Sequence, residues 1–223
     1  KTGRMIIEVC AESYEYAMKA EKAGADRIEL CKDLQLDGLT PDYESAKRTI
    51  DSLNIPVFVL IRPRKGDFIY SNEEFELMKS DVVKFKEMGC KGIVSGILND
   101  DKSIDIKRTK ELVELSRPLE FTFHRAFDVV SDPLNEIEKL IEIGVNRVLT
   151  SGQKNKAIDG LDLLEELKNI SNNRIVIMPG SGISPMIIKK FKSFSEIHGS
   201  FTKYHLNEIK KRWNINSFKL RFY

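Results

Sequence analysis

The sequence predicts an α/β fold, a TIM (β/α)8 barrel with a shortened or irregular last helix, in one domain over residues 1–223. Two observations carry this. Short β-branched runs alternate with amphipathic runs from end to end, and strand cores recur every roughly 21–35 residues, as βαβ units of a parallel sheet do. The residues after the first run, Cys10-Ala11-Glu12-Ser13, lack the glycine-rich phosphate turn usual in an open doubly wound sheet. Closure into a barrel is therefore preferred.

The strand cores in order are Met5–Val9, Arg27–Leu30, Val57–Ile61, Gly92–Ile97, Glu120–Phe123, Arg147–Thr150, Ile175–Met178 and Glu196–His198. Between them, apolar residues fall at helical spacings, as in Phe75, Met78, Val82 and Phe85. Thr40-Pro41 and Asp132-Pro133 mark helix starts, pairing a capping side chain with proline at the first helical position. Gly24, Gly89 and Gly144 suit the left-handed ends of three helices.

Composition narrows the function classes. Hydrophobic residues make up 41% and charged residues 31%, which is globular. A net charge of +2 supplies no basic excess for nucleic acid and no membrane-surface patch. No apolar run approaches the ~20 residues of a membrane span, and Lys1-Thr2-Gly3-Arg4 carries no signal-peptide core. Three cysteines do not make a disulfide framework. The expectation is a soluble, intracellular protein.

Strand parity then selects inward residues. Ile7-Glu8-Val9-Cys10 echoes Ile28-Glu29-Leu30-Cys31. The outer face of a barrel strand packs on apolar helices, so Glu8, Cys10, Glu29 and Cys31 are expected to point inward near the C-terminal mouth. The same mouth collects Arg62 and Arg64 after the third strand and Ser95 in the fourth. His124, Arg125 and Asp128 follow the fifth, Ser151 the sixth and Gly180-Ser181-Gly182 the seventh, and His198 ends the eighth. Barrel enzymes place their chemistry at such positions. Glu8, Glu29, His124 and Asp128 are thus acid–base candidates. Arg62, Arg64, Arg125, Ser151, Gly180, Ser181, Gly182 and His198 are anion-binding candidates.

Each has a plainer alternative. Glu8 and Glu29 also fit as buried ion-pair partners of Arg62 and Arg64. His124 fits a satisfied core histidine, and Gly180–Gly182 a tight turn rather than a phosphate loop feeding a helix near Ser184-Pro185. Two thiols ending adjacent strands suit one soft ion such as Cu(I), or a disulfide. Cys90, at the opposite end, is expected to be inert.

Several ordered motifs are specific. They are Arg27-Ile28-Glu29-Leu30-Cys31, Gly38-Leu39-Thr40-Pro41, Ile61-Arg62-Pro63-Arg64, Thr122-Phe123-His124-Arg125-Ala126-Phe127-Asp128 and Leu149-Thr150-Ser151-Gly152-Gln153. Over roughly residues 5 to 200 the chain resembles the CutC family, named for copper homeostasis. The resemblance implies a TIM barrel, a cytoplasmic location, a Cu(I) site on Cys10 and Cys31, and a homodimer or larger homo-oligomer. Asp37 stands where the family often has a second glycine. After His198-Gly199-Ser200 comes only a short helical pattern (Leu206, Ile209, Trp213) and an apolar tail (Phe218, Leu220, Phe222), where the family usually has a full closing helix. Two functions are therefore carried forward. One is a copper-binding homeostasis protein. The other is a lyase- or isomerase-like barrel enzyme acting on a small anionic or phosphorylated metabolite.

Overall fold

The structure, a computed structural model, describes residues 4–202, 204–209 and 211. Eight parallel strands form one sheet: β1 (Ile6–Ala11), β2 (Arg27–Leu30), β3 (Val57–Leu60), β4 (Gly92–Ser95), β5 (Glu120–Phe123), β6 (Arg147–Thr150), β7 (Val176–Pro179) and β8 (Glu196–Gly199). Their spatial order is β7-β6-β5-β4-β3-β2-β1-β8, and the two end strands lie in contact, so the sheet is nearly closed. The predicted barrel is what forms.

Among the described residues, six α-helices precede β7 and wrap the barrel: α1 (Tyr14–Ala23), α2 (Tyr43–Ser52), α3 (Asn72–Glu87), α4 (Ile106–Ser116), α5 (Pro133–Glu142) and α6 (Leu161–Ser171). Outward strand residues such as Val9, Ile28, Val59, Ile93, Val148 and Ile197 are buried beneath them, each contributing about 1.5–3 kcal/mol of hydrophobic stabilisation. Asp132 caps α5 by accepting from Asn135 N–H, with Pro133 at the first helical position, as its sequence predicts. Gly24, Gly89 and Gly144 all have positive φ, as a left-handed helix end requires.

Two local expectations need correction. Thr40-Pro41 does not open α2; the chain stays extended and Asp42 is the cap, because the Thr40 hydroxyl is committed to Arg62 N–H. No α-helix forms between β7 and β8. Pro185 enters a turn that leads only to a 3-10 segment, Ile188–Phe191, so Gly180–Gly182 does not feed a helix N-terminus. Residues 204–209 are helical, with Leu206 and Ile209 buried. Trp213 and the apolar tail residues Phe218, Leu220 and Phe222 lie outside the described residues.

Inside the barrel the register aligns the inward faces. Glu8 pairs with Arg27 on one side and His198 on the other, and Cys10 with Glu29. Phe58 lies opposite Gly92. A Cβ on Gly92 would come within 2.5 Å of the Phe58 ring, so glycine there makes room for an aromatic plug. Arg27 and Arg147 bring their guanidiniums to 4.7 and 5.3 Å from that ring.

Candidate functional site

A charged chain runs up the barrel interior. Arg147 donates from Nε and Nη2 to Glu196 at 2.6 and 3.1 Å, and also to Glu120 at 2.8 Å. Arg27 pairs with Glu196 and, at 2.5 Å, with Glu8. The other Glu8 oxygen meets His198 Nδ1 at 2.7 Å. His198 lies 4.0 Å from Glu29 Oε2. Cys10 Sγ stands 3.5 Å from both Glu29 Oε1 and Cys31 Sγ. Glu8, Cys10, Glu29 and Cys31 therefore do point inward, as parity requires.

The ion pairs differ from those expected. Glu8 and Glu29 do not meet Arg62 or Arg64; Arg27 takes Glu8. Arg27 precedes Glu29 by two residues and so shares its inward face. Arg147 and Glu196 are inward on the same rule, two residues before Leu149 and His198. All three open their strands, so they lie below the mouth candidates, and alternation along each strand is the signal that marks them as inward.

These contacts set the titrations. Burial would raise the Glu8 carboxyl, but Arg27 and the His198 hydrogen bond overcome it and hold it at about 2. Burial pushes Glu29 up, and the neighbouring Glu8 charge adds to this against the pull of His198. The Cys31 contact, burial and the Glu29 charge push the Cys10 thiol up. Burial alone would lower His198, yet Glu29 and Glu8 raise it.

Above this floor opens a pocket of about 610 Å³. Cys10, Glu29 and His198 line it, together with Arg62, His124, Arg125, Asp128, Ser181 and Gly182. His124 is buried at the end of β5, and its Nδ1 accepts from Ala126 N–H at 3.2 Å. That fixes the ring proton on Nε2, a buried atom with no partner. Burial and the Arg62 charge hold His124 down at about 3, so it is a neutral donor. Gly96 makes this possible: a Cβ there would lie 2.6 Å from His124 Nδ1.

The remaining candidates take other positions. Arg62 Nη1 donates to Leu36 O and Gly38 O at 2.8 and 2.9 Å, and Nη2 to Gly66 O at 3.1 Å. It clamps two loops, leaving Nε without a partner. Arg64 lies outside the pocket lining, bound to Glu74, Asp67 and Ile69 O. β3 ends at Leu60, and the bend beyond it breaks the alternation that placed Arg64 at the mouth. Asp128 accepts from Arg125, the Thr150 and Ser151 hydroxyls, and the Ser151 and Gln153 N–H groups. It welds two loop motifs into one unit and has no oxygen to spare for acid–base work. Ser151 belongs to that unit and is not in the lining. Gly180 N–H donates to Thr150 O, so Ser181 and Gly182 alone of their trio face the pocket. Ser95 donates to Ile61 O between strands. Cys90 is buried, its thiol pushed up by burial to about 11.

The model of the CutC family matches residues 5–203. The chain belongs to the CutC family. A copper homeostasis protein cutC homolog from Homo sapiens is 48% identical over 179 residues, covering 80% of this chain and 66% of that protein. A family protein CutC from Pasteurella multocida is 42% identical over 208 residues, covering 92% and 85%. A crystal structure of CutC from Streptococcus agalactiae superposes with a TM-score of 0.83 at 31% identity, over 88% of this chain and 99% of that one. An aldolase at 15% identity and TM-score 0.70 shares the fold alone. Asp37, with φ 63, occupies the left-handed conformation that favours glycine. Among the described residues no helix is long and apolar enough to cross a membrane.

Proposed function

We propose that this CutC chain serves copper homeostasis by holding Cu(I), as cargo, on Cys10 and Cys31. One observation carries the reading: two free, buried sulfurs stand 3.5 Å apart, and Cys10 of the pair lines the pocket at the barrel mouth. Paired thiols are the donors a soft monovalent ion selects. The human relative's name supports the copper connection. Three free thiols suit a reducing compartment such as the cytoplasm. Cys10→Ser and Cys31→Ser are each expected to abolish stoichiometric Cu(I) binding in an anaerobic competition titration, while Cys90→Ser keeps it. Unchanged stoichiometry in the double variant sinks the reading. Light scattering on the same preparation is expected to show a homodimer or larger; a clean monomer at micromolar concentration removes that part.

The second reading is an enzyme of lyase or isomerase type acting on a small anionic or phosphorylated metabolite. Its support is the neutral His124 Nε2–H, buried without a partner in a pocket that Arg125 and the unpartnered Glu29 Oε2 also line. There His124 would polarise a carbonyl or hold an oxyanion, with Glu29 as acid or base. A thermal-shift screen of phosphate- and carboxylate-bearing metabolites is expected to find a stabilising compound, by about 2.7 kcal/mol at 100 times its Kd. His124→Phe keeps the aromatic contact with Phe68 and is expected to lose the shift. No shift from any compound in the wild type ends the enzyme reading.

A further inference from the structure

We propose that Cys10, Glu29 and His198 form a binding site for a divalent cation of the zinc class, its open position facing the mouth pocket. This goes beyond the copper reading. It shares Cys10 with that reading and does not use Cys31.

The site is built on rigid elements. Its donors come from adjacent parallel strands, β1, β2 and β8, with Cys10 in register with Glu29, and Glu8 with His198. One ligand atom from each of the three residues lies within 4.8 Å of the others, and all three residues are buried. The donor set is one sulfur, one imidazole nitrogen and one carboxylate oxygen, the mixture that Zn²⁺ accepts in tetrahedral sites. A soft monovalent ion has no use for the carboxylate.

Two further observations point to a ligand. Glu29 Oε2 is buried and has no hydrogen-bond partner, and an orphaned carboxylate oxygen is costly unless a cation or donor meets it. His198 Nδ1 is held by Glu8, which Arg27 holds in turn. A carboxylate on a ring nitrogen orients the ring and fixes its tautomer, as partners of metal-binding histidines do. Three protein ligands beside an open cavity also match zinc sites that keep a position for water or substrate, rather than closed structural ones. The same cavity carries Arg125 and the His124 Nε2–H, so the open position suits an oxygen of a small anion.

Cobalt(II) titrated into the reduced, metal-free full chain is the probe, read by its thiolate-to-cobalt charge-transfer absorption. One equivalent is expected to bind with that band present. Cys31→Ser is expected to behave as wild type, and Cys10→Ser to lose the band. The isosteric Glu29→Gln, and His198→Gln, are expected to bind at least about tenfold more weakly, with far-UV circular dichroism showing each variant folded. The proposal is overturned if the wild type gives no band, or if folded Glu29→Gln and His198→Gln match the wild type. Loss of the band in Cys31→Ser also overturns it, assigning cobalt to the thiol pair. Cu(I) stoichiometry in Cys31→Ser reads the copper proposal separately, so either can fail alone.

Discussion

Arg27→Met is expected to destabilise the fold by about 3–5 kcal/mol, the cost of stranding buried charge when one partner of a buried ion pair is removed. Arg27 is the only contact between Glu8 and Glu196 in the charged chain described above, and all three side chains are almost wholly buried. Methionine fills much of the volume, so the loss reports charge more than packing. Two buried carboxylates on the neighbouring strands β1 and β8 would then be left with one guanidinium, Arg147, to balance Glu196. Urea unfolding at pH 7 measures the change. Arg64→Met is the control: its pairs with Asp67 and Glu74 are partly solvated, and about 1 kcal/mol or less is expected. Equal losses at the two positions would mean that the interior chain carries no special weight.

The barrel was legible because its signals are local. Each strand is a short apolar run between turn residues, and each predicted strand core falls on an observed strand. The inward direction of Glu8, Cys10, Glu29 and Cys31 was legible too, since alternation along a strand needs no knowledge of the neighbours. What faces each inward charge was not. Partners are set by strand order and register across the barrel, which bring Glu196 of β8 to Arg27 of β2 and Arg147 of β6. Arg27 itself was readable from parity, two residues before Glu29.

The loops show the same division. Alternation stops where β3 stops, so Arg62 and Arg64 part company: one turns inward as a clamp on carbonyls, the other binds surface carboxylates. The sequence contained the string ending in Asp128 and the string around Thr150–Gln153 as separate motifs, and only the fold makes them one hydrogen-bonded unit. Asp128 therefore reads as an acid in the sequence and as a fastener in the structure. His124 is the reverse case. Its role as a neutral donor depends on Gly96 leaving room for the ring and on Ala126 N–H claiming Nδ1, neither of which spacing alone reveals.

Glu8→Gln is expected to flatten the acid limb of the stability curve. The Glu8 carboxyl titrates at about 2 in the folded chain against 4.5 unperturbed, because Arg27 and His198 overcome the penalty of burial. A depressed folded value means that the unfolded chain binds the proton first, so acid favours unfolding. The Glu8 contribution is fully present above pH 4.5, falls as the pH drops, and is gone near pH 2. Its size is about 3 kcal/mol. Glutamine carries no charge at any pH, so the variant is less stable than wild type by about that amount at pH 6. The two converge as the pH approaches 2. His198 does not confuse the window: its folded value is raised, so its contribution is present in acid and declines only as the pH rises past its ordinary range. Chemical denaturation of both proteins from pH 6 down to 2 reads the difference directly. A constant gap across that range would assign the loss to altered packing and remove the Arg27–Glu8–His198 charge contacts as the source of acid sensitivity.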